Sequence, residues 1–187
     1  MIYQPTLRTN RLILRPFSIE DAKRVRDLAG NIEVARYTEA IPHPYGDEVA
    51  ESWIEAHDNE FREGKSVNFA ITLKESGEIL GAVGLIMEKK DQKANLGYWI
   101  GRPYWGCGYC SEAAKALVEY GFHQWSIHRI YARHMECNPA SGHVMRNVGM
   151  HFEGELKDDM YRDGKFHTML MYGIINSKEV SEGDAAY

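Results

Sequence analysis

The sequence of 187 residues contains only three cysteines and six prolines, and it has no long hydrophobic run. Three cysteines cannot form an even set of disulfides, which is typical of proteins from a reducing cytoplasm. The absence of about 18 consecutive apolar residues argues against a membrane-spanning helix. The first residues also lack the apolar segment of a secretory signal. We therefore expect a cytoplasmic protein with no membrane partner.

The sequence also lacks an excess of positive charge. Lysine and arginine number 22 against 27 aspartates and glutamates, which gives a net charge of −5 and a pI near 5.9. A protein that neutralises nucleic-acid phosphates needs the opposite balance, so we expect no nucleic-acid partner. The composition is otherwise typical of a soluble globular protein. We predict one domain over residues 1–175 and a C-terminal tail over residues 176–187.

The hydrophobic periodicity predicts an α/β domain that contains an antiparallel three-strand meander. Helices are predicted at residues 18–28, 47–61, 110–122 and 138–149. Strands are predicted at residues 12–17, 67–73, 79–87, 94–100, 129–135, 152–162 and 165–175. Asn138-Pro139 is a typical helix start and Gly149 a typical helix end. Asp163-Gly164 between alternating segments predicts a type I′ hairpin turn.

The turn after the meander is the most informative part of the chain. Trp105-Gly106-Cys107-Gly108-Tyr109 joins a strand pattern directly to a helical pattern. Glycines let backbone amides approach a ligand closely, and the first turn of a helix offers unpaired N–H groups that favour an anion. The turn therefore predicts a site for a phosphate-bearing cofactor. The alternative is an ordinary strand-to-helix turn.

Five short segments occur in a recognisable order between about residue 6 and residue 175. They are Asn10-Arg-Leu-Ile-Leu-Arg-Pro16, Leu96-Gly-Tyr-Trp99, Trp105-Gly-Cys-Gly108 with Glu112-Ala113, Asn138-Pro-Ala-Ser141, and Gly149 leading to Glu153-Gly154. Together they resemble the GNAT superfamily of acyl-CoA-dependent N-acetyltransferases. The likeness is closest to the Rim-type branch, which includes enzymes that acetylate the N-termini of ribosomal proteins.

This resemblance implies a fold and a cosubstrate. The expected fold is a mixed, mostly antiparallel sheet of about seven strands, flanked by about four helices and splayed between the fourth and fifth strands. The expected cosubstrate is acetyl-CoA, with no metal, and the acetyl group is expected to pass to an amine by direct attack in a ternary complex. Dimers are common in the family, so a homodimer is possible.

The resemblance also implies which residues bind acetyl-CoA. The pantetheine arm would pair with the strand at residues 98–101 as an added strand does. A strand amide near Ile100 would donate to the acetyl oxygen. The diphosphate would be bound by the amides of Trp105, Gly106, Cys107, Gly108 and Tyr109.

Asn138 and Ser141 match two functional positions of the Rim-type branch. Asn138 matches the residue that contacts pantetheine, and Ser141 matches the serine proposed to protonate the leaving thiolate. The alternative is that Asn138 only caps a helix and Ser141 lies in its first turn.

The general base has several candidates. Rim-type enzymes can carry a glutamate in the strand after Glu-Gly, where this chain has Met160. Asp158 shares the predicted strand face of Met160, and a water could link it to the amine. His134 and Glu136 border the expected cleft and are alternatives.

Aromatic residues are the candidates for the wall of the acceptor site. Tyr98 and Trp99 lie on the strand beside the expected cleft, and sheet packing is their alternative role. His43 and Tyr45 lie in the loop between the first two predicted helices, a region that shapes the acceptor pocket in GNAT enzymes.

Two functions of other classes compete with acetyl transfer. Cys107-Gly-Tyr-Cys110 at a helix start is the arrangement of a thiol–disulfide oxidoreductase. A non-catalytic acyl-CoA sensor would keep the glycine turn and lack a general base. The cysteines and histidines contain no second paired-ligand motif, which argues against zinc. We expect an acetyl-CoA-dependent N-acetyltransferase whose acceptor is a protein N-terminal α-amine or, as the second interpretation, a small-molecule amine.

Overall fold

The computed structural model describes residues 3–176. In this part of the chain there are five α-helices: α1 (Ala22–Ala29), α2 (Ile32–Ala35), α3 (Val49–Arg62), α4 (Tyr109–Gln124) and α5 (Pro139–Val148). The strands are β1 (Leu7–Arg8), β2 (Leu12–Arg15), β3 (Ser66–Leu73), β4 (Ile79–Glu88), β5 (Lys93–Ile100), β6 (Arg129–Met135), β7 (His151–Arg162) and β8 (Lys165–Ile175). None of these helices is long and apolar enough to cross a membrane.

The strands form one mixed sheet in the order β1-β2-β3-β4-β5-β6-β8-β7. Only β5 and β6 pair in parallel, and every other neighbouring pair in the described sheet is antiparallel. The predicted mixed sheet is thus confirmed, with eight strands instead of about seven and five helices instead of about four. The sequence missed β1 and α2 because two and four residues are too few to establish a periodicity.

Several local predictions are confirmed at the level of the backbone. The meander is β3, β4 and β5, and Asn138 is the N-cap of α5. Gly149 ends α5 at φ 98°, and the turn between β7 and β8 has positive φ at both Asp163 and Gly164, as a type I′ turn requires. The predicted tail at residues 176–187 lies, apart from Asn176, outside the described residues.

A gap opens between β5 and β6 towards the C-terminal end of both strands. The two strands pair from Lys93 with Arg129 to Asn95 with Tyr131, and no further pairing follows. The Gly101 N–H donates to the Leu80 carbonyl at 2.8 Å, on the β4 side. Because successive residues of a strand point their amides to opposite sides, the N–H groups of Tyr98 and Ile100 face the gap.

Hydrophobic packing fixes the position of α4 relative to this gap. Leu117 is fully buried in the main cluster together with Leu85 of β4 and Ile130 of β6. A side chain of this size contributes roughly 1.5–3 kcal/mol when it is fully buried. Gly121 allows close approach, since a Cβ atom there would lie 2.7 Å from Leu85. The N-terminus of α4 is thereby held beside the splayed strands.

Candidate active site

The glycine turn presents a row of unpaired amides at the start of α4. Gly106 and Gly108 have φ of 75° and 77°, a conformation that glycine adopts without strain, and Gly108 is the N-cap of α4. Among residues 3–176, no acceptor pairs with the backbone N–H groups of residues 106–111. We call these N–H groups the amide cradle. Together with the positive end of the α4 dipole, they suit the diphosphate of a nucleotide cofactor.

Arg11 fixes the amide cradle from the neighbouring strand pair. Its Nη1 donates to the Cys107 carbonyl at 3.0 Å, and its Nε donates to Glu112 at 2.7 Å. Glu112 also accepts from the Thr9 hydroxyl at 2.6 Å and from the Arg11 N–H at 2.9 Å. Burial acts to raise the pKa of Glu112, but these hydrogen bonds outweigh it and hold the pKa below its usual value. The turn is therefore held by a charged network and does not rely on its own backbone alone.

A groove of about 450 Å³ runs along the amide cradle. We call it the turn groove. Cys107 is exposed and does not line the groove, although it belongs to the turn. The Trp105 side chain is held by a 2.6 Å hydrogen bond from its Nε1 to the Ile100 carbonyl. The sequence-predicted cofactor residues that line the groove are Ile100, Trp105, Gly106, Gly108, Tyr109, Asn138 and Ser141.

A second cavity of about 350 Å³ adjoins the turn groove along β5. We call it the loop cavity, because the loop between α2 and α3 forms much of its wall. The predicted acceptor residues Tyr98, Trp99 and Tyr45 all line it, whereas His43 is exposed and does not. The loop cavity also contains the side chain of Trp53 from α3.

Two arginines anchor the loop that lines this cavity. Arg162, at the end of β7, donates to the carbonyls of Thr38, of Glu39 at 3.3 Å, of Ala35 at 2.8 Å and of Ile41 at 3.0 Å. These contacts span more than 120 residues of sequence, so nothing in the local sequence around Arg162 indicates them.

The second anchor is Arg133 on β6. It donates to both carboxylate oxygens of Glu39, at 2.9 and 2.8 Å, and to Asp159 at 2.8 Å. Such a bidentate pair is stronger and more directional than a single charged contact. The hydrogen bonds that Arg133 donates to Glu39, together with the charge of Glu39, raise the pKa of Arg133, which therefore stays charged.

Tyr98 and Ser141 lie where the turn groove and the loop cavity meet, since both residues line both spaces. The Tyr98 hydroxyl is 2.8 Å from the Ser141 hydroxyl and 3.0 Å from the Ser141 carbonyl oxygen, to which it can donate. Burial raises the pKa of Tyr98 far above its usual value. The phenol therefore keeps its proton at every physiological pH, and it fixes the orientation of Ser141.

The candidates for the general base lie in three different places. Asp158 is exposed in the irregular part of β7, with φ of 52°, and Glu136 is exposed just after β6. Neither lines the turn groove or the loop cavity. His134 lines the loop cavity. Its Nδ1 lies 2.7 Å from the Met135 carbonyl, and its buried Nε2 has no partner among the described residues.

His134 is electrically neutral in this environment. Burial lowers the pKa of His134, and the charge of Arg146 adds to this effect. A Cβ atom placed on Gly142 would lie 2.7 Å from Nε2, so the unpaired nitrogen faces the backbone of α5. The structure therefore gives the loop cavity a neutral imidazole on one wall and no unpaired carboxylate among its described lining residues.

The two cysteines of the Cys107–Cys110 motif lie in different environments. Cys107 is exposed, whereas burial raises the pKa of Cys110 to about 12 and keeps its thiol protonated. All three cysteines are free. In the described part of the chain, no three histidine, cysteine or acidic side chains group in a way that could hold a metal ion.

Comparison with known proteins decides the family. The profile described as Acetyltransferase (GNAT) domain matches residues 11–151. The uncharacterized N-acetyltransferase YoaA of Bacillus subtilis (strain 168) is 30% identical over 176 residues, which are 94% of this chain and 99% of YoaA. The chain belongs to the GNAT acetyltransferase family. It is thus an acyltransferase of the N-acetyltransferase type.

Relatives with named substrates and solved structures agree with this membership. Spermidine N(1)-acetyltransferase of Escherichia coli (strain K12) is 26% identical over 173 residues, 90% of this chain and 88% of that enzyme. The structure of RimL, a ribosomal L7/L12 alpha-N-protein acetyltransferase in complex with coenzyme A, gives a TM-score of 0.83 at 20% identity, over 91% of this chain and 98% of that one. This second likeness confirms the GNAT fold and, at that identity, the fold alone.

Two groups of residues that the GNAT fold brings to the site have no role in the sequence predictions. The first group fixes the amide cradle and consists of Thr9, Arg11 and Glu112. Arg11 and Glu112 lie in two of the five recognised segments, but the sequence analysis did not predict that they contact each other. The second is Arg133 and Arg162, which anchor the loop. Both groups act through contacts between residues distant in sequence.

Proposed function

We propose that this enzyme transfers an acetyl group from acetyl-CoA to the N-terminal α-amine of a protein, as enzymes of the Rim-type branch do. The observation that carries the proposal is the meeting of the turn groove and the loop cavity at the hydrogen-bonded pair of Tyr98 and Ser141. One space can hold the acyl donor and the other the amine, with a hydroxyl pair between them.

The turn groove fits the donor. The amide cradle offers six N–H groups that have no other acceptor in the described residues, which suits the diphosphate of acetyl-CoA. The N–H groups of Tyr98 and Ile100 face the gap between β5 and β6 and can orient an extended pantetheine arm. Acetyl-CoA supplies the thioester, and Ile100 offers a donor for the charge that develops on a carbonyl oxygen.

The hydroxyl pair can deliver a proton at the junction. Tyr98 can donate its proton to the Ser141 carbonyl, which leaves the Ser141 hydroxyl free to donate. A thiolate leaving group needs such a donor. Because the raised pKa of Tyr98 keeps the phenol neutral, the proton of Ser141 is not lost to its neighbour.

The charges of the loop cavity support an α-amine as acceptor. Glu39 is the carboxylate among the described residues that line it, and Arg133 already binds both of its oxygens. The residues that line the cavity therefore offer no free carboxylate to deprotonate a strongly basic amine. At pH 7 about one in ten α-amines with a pKa near 8 is unprotonated, against about one in 2,500 side-chain amines with a pKa near 10.4.

An acceptor panel tests the proposal. Release of free thiol from acetyl-CoA would be measured with peptides that have a free N-terminus and no lysine, with the same peptides N-acetylated, and with lysine and spermidine as small amines. We expect turnover with the free peptides, and a mass increase of one acetyl group at the N-terminus. Turnover confined to the small amines would overturn the protein acceptor, and no turnover with any amine would overturn the proposed function.

A further inference from the structure

The walls of the loop cavity are mainly aromatic and aliphatic. Tyr37 and Tyr45 come from the loop, Trp53 from α3 and Trp99 from β5, and Met169 closes the side formed by β8. These side chains offer large apolar surfaces at a low cost in conformational entropy. A ligand that enters this space exchanges water for aromatic rings, which favours an apolar group over a charged one.

The charges in the loop cavity are already matched to each other. Glu39 is the one carboxylate and Arg133 the one guanidinium among the described lining residues. They form a bidentate pair at 2.9 and 2.8 Å, and Arg133 is held in addition by Asp159. A second ammonium group on the acceptor would find no free carboxylate among the residues that line the cavity. It would have to leave water without a counter-charge, which is costly.

The size of the loop cavity also favours an acceptor with a single amine. Ligand pockets for small molecules typically measure about 300–1,000 Å³, and at about 350 Å³ the loop cavity lies near the lower limit. It has room for one amine and one compact group attached to it.

We propose that the acceptor is a monoamine whose reactive nitrogen is attached to an uncharged, apolar group, and that the Glu39–Arg133 pair excludes polyamines and peptides that begin with lysine. For a peptide acceptor, the apolar group is the first side chain. This inference rests on the proposed function, because it specifies the acceptor of the same site.

Competition between peptides tests the inference. The values of kcat/KM would be compared for peptides that differ only in the first residue, leucine, methionine, serine, glutamate or lysine, and for spermidine. We expect the leucine and methionine peptides to exceed the lysine and glutamate peptides and spermidine by about tenfold or more, the scale on which pockets of this kind discriminate. Equal or higher values for the lysine peptide or spermidine would overturn the inference while leaving the proposed function intact. Absence of thiol release with every amine would overturn both.

A charge variant tests the role of the Glu39–Arg133 pair directly. Arg133→Gln frees the Glu39 carboxylate, so we expect the kcat/KM ratio of lysine peptide to leucine peptide to rise about tenfold. The double variant Glu39→Gln/Arg133→Gln loosens the loop as well, but it leaves no free carboxylate among the residues that line the cavity, because Asp159, the other partner of Arg133, does not line it. Its ratio is therefore expected to stay near that of the wild type. An equal rise in both variants would overturn the role of the charge pair.

Arg129→Gln is the matched control for these variants. Arg129 also lies on β6 and pairs with a carboxylate, that of Glu153, but it lines neither the turn groove nor the loop cavity. We expect it to leave the ranking of the acceptors unchanged. If Arg129→Gln changed the ranking of the acceptors as much as Arg133→Gln does, the charge of the whole sheet and not the Glu39–Arg133 pair would set the acceptor preference. That result would overturn the inference.

Discussion

The turn groove and the loop cavity are built in different ways. The turn groove contains the amide cradle, whose backbone groups are adjacent in sequence at the glycine turn and the first turn of α4. The rest of its lining comes from residues 33–38, the end of β5 and the start of α5. The loop cavity is made of side chains from many separate elements and from a loop that two distant arginines anchor. Backbone groups recognise what all acyl-CoA donors share, whereas side chains can select one acceptor.

If this comparison is correct, substitutions on the two sides have separable effects on the two substrates. Variants of the groove change binding of acetyl-CoA, variants of the loop cavity change use of the amine, and variants at the junction change the chemical step. The four predictions below run from the largest expected effect to the smallest.

Ser141→Ala removes the hydroxyl that we propose as the proton donor at the junction. We expect kcat to fall about 100-fold, the lower range for loss of a general acid, while the Kd of coenzyme A changes less than about twofold. Steady-state kinetics and calorimetry measure the two values. The exposed Ser52 on α3 provides the control variant Ser52→Ala, which should behave as the wild type. An unchanged kcat would remove Ser141 from the acid role.

Arg11→Ala releases the carbonyl of Cys107 and the carboxylate of Glu112 from the turn. We expect the KM of acetyl-CoA to rise about tenfold while the KM of the acceptor is retained, because only the groove loses its support. Arg8→Ala, at an exposed arginine of β1, is the matched control. Equal increases in both KM values would show that Arg11 supports the fold as a whole and not the groove.

Arg162→Ala removes the donors to four carbonyls, three in the loop and that of Ala35 at the end of α2. The KM of the acceptor is expected to rise about fivefold and the Kd of coenzyme A by less than about twofold, because among the loop residues that line the loop cavity only Tyr37 and Thr38 also line the turn groove. Arg162→Lys should recover only part of the loss, since an ammonium has three donors and lacks the planar fork of a guanidinium. If Arg162→Ala weakened the binding of coenzyme A as much as that of the acceptor, the separation of the two sides would be contradicted.

His57 makes the stability of the fold sensitive to acid. Burial lowers the pKa of His57 to about 4, although Glu60 opposes the shift, and its ring lies 4.4 Å from that of Trp53 in the loop cavity. The unfolded chain binds this proton near pH 6.5 and the folded chain only near pH 4. The free energy of unfolding should therefore fall as the pH decreases from 6.5 to 4, by up to about 1.4 kcal/mol per pH unit from this residue.

Urea unfolding of wild type and His57→Leu at several pH values measures this effect. The variant should lose part of the pH dependence in that range, whereas the control His151→Gln, at an exposed position of β7, should keep it. Identical slopes for His57→Leu and the wild type would show that His57 is not the group responsible.

The contrast between the turn groove and the loop cavity also explains how much of the site could be predicted from the sequence. The amide cradle depends on glycines and a helix start that lie together in the chain, and the start of α5 depends on Asn138-Pro139, so local patterns identified both. The hairpin turn at Asp163-Gly164 was predicted for the same reason. The anchoring of the loop by Arg133 and Arg162 could not be predicted, because the partners of these arginines in the loop and at the end of α2 are 94 to 127 residues away.

Titration of coenzyme A into the purified, reduced protein by isothermal calorimetry tests most directly whether the amide cradle binds the donor. We expect association in the micromolar range for the wild type and for Arg162→Ala. Gly108→Val, which forces a β-branched residue to φ of 77°, should bind at least about tenfold more weakly. The account would be contradicted if the wild type showed no heat of association with coenzyme A. It would also be contradicted if Gly108→Val bound coenzyme A as tightly as the wild type and had the same circular dichroism spectrum.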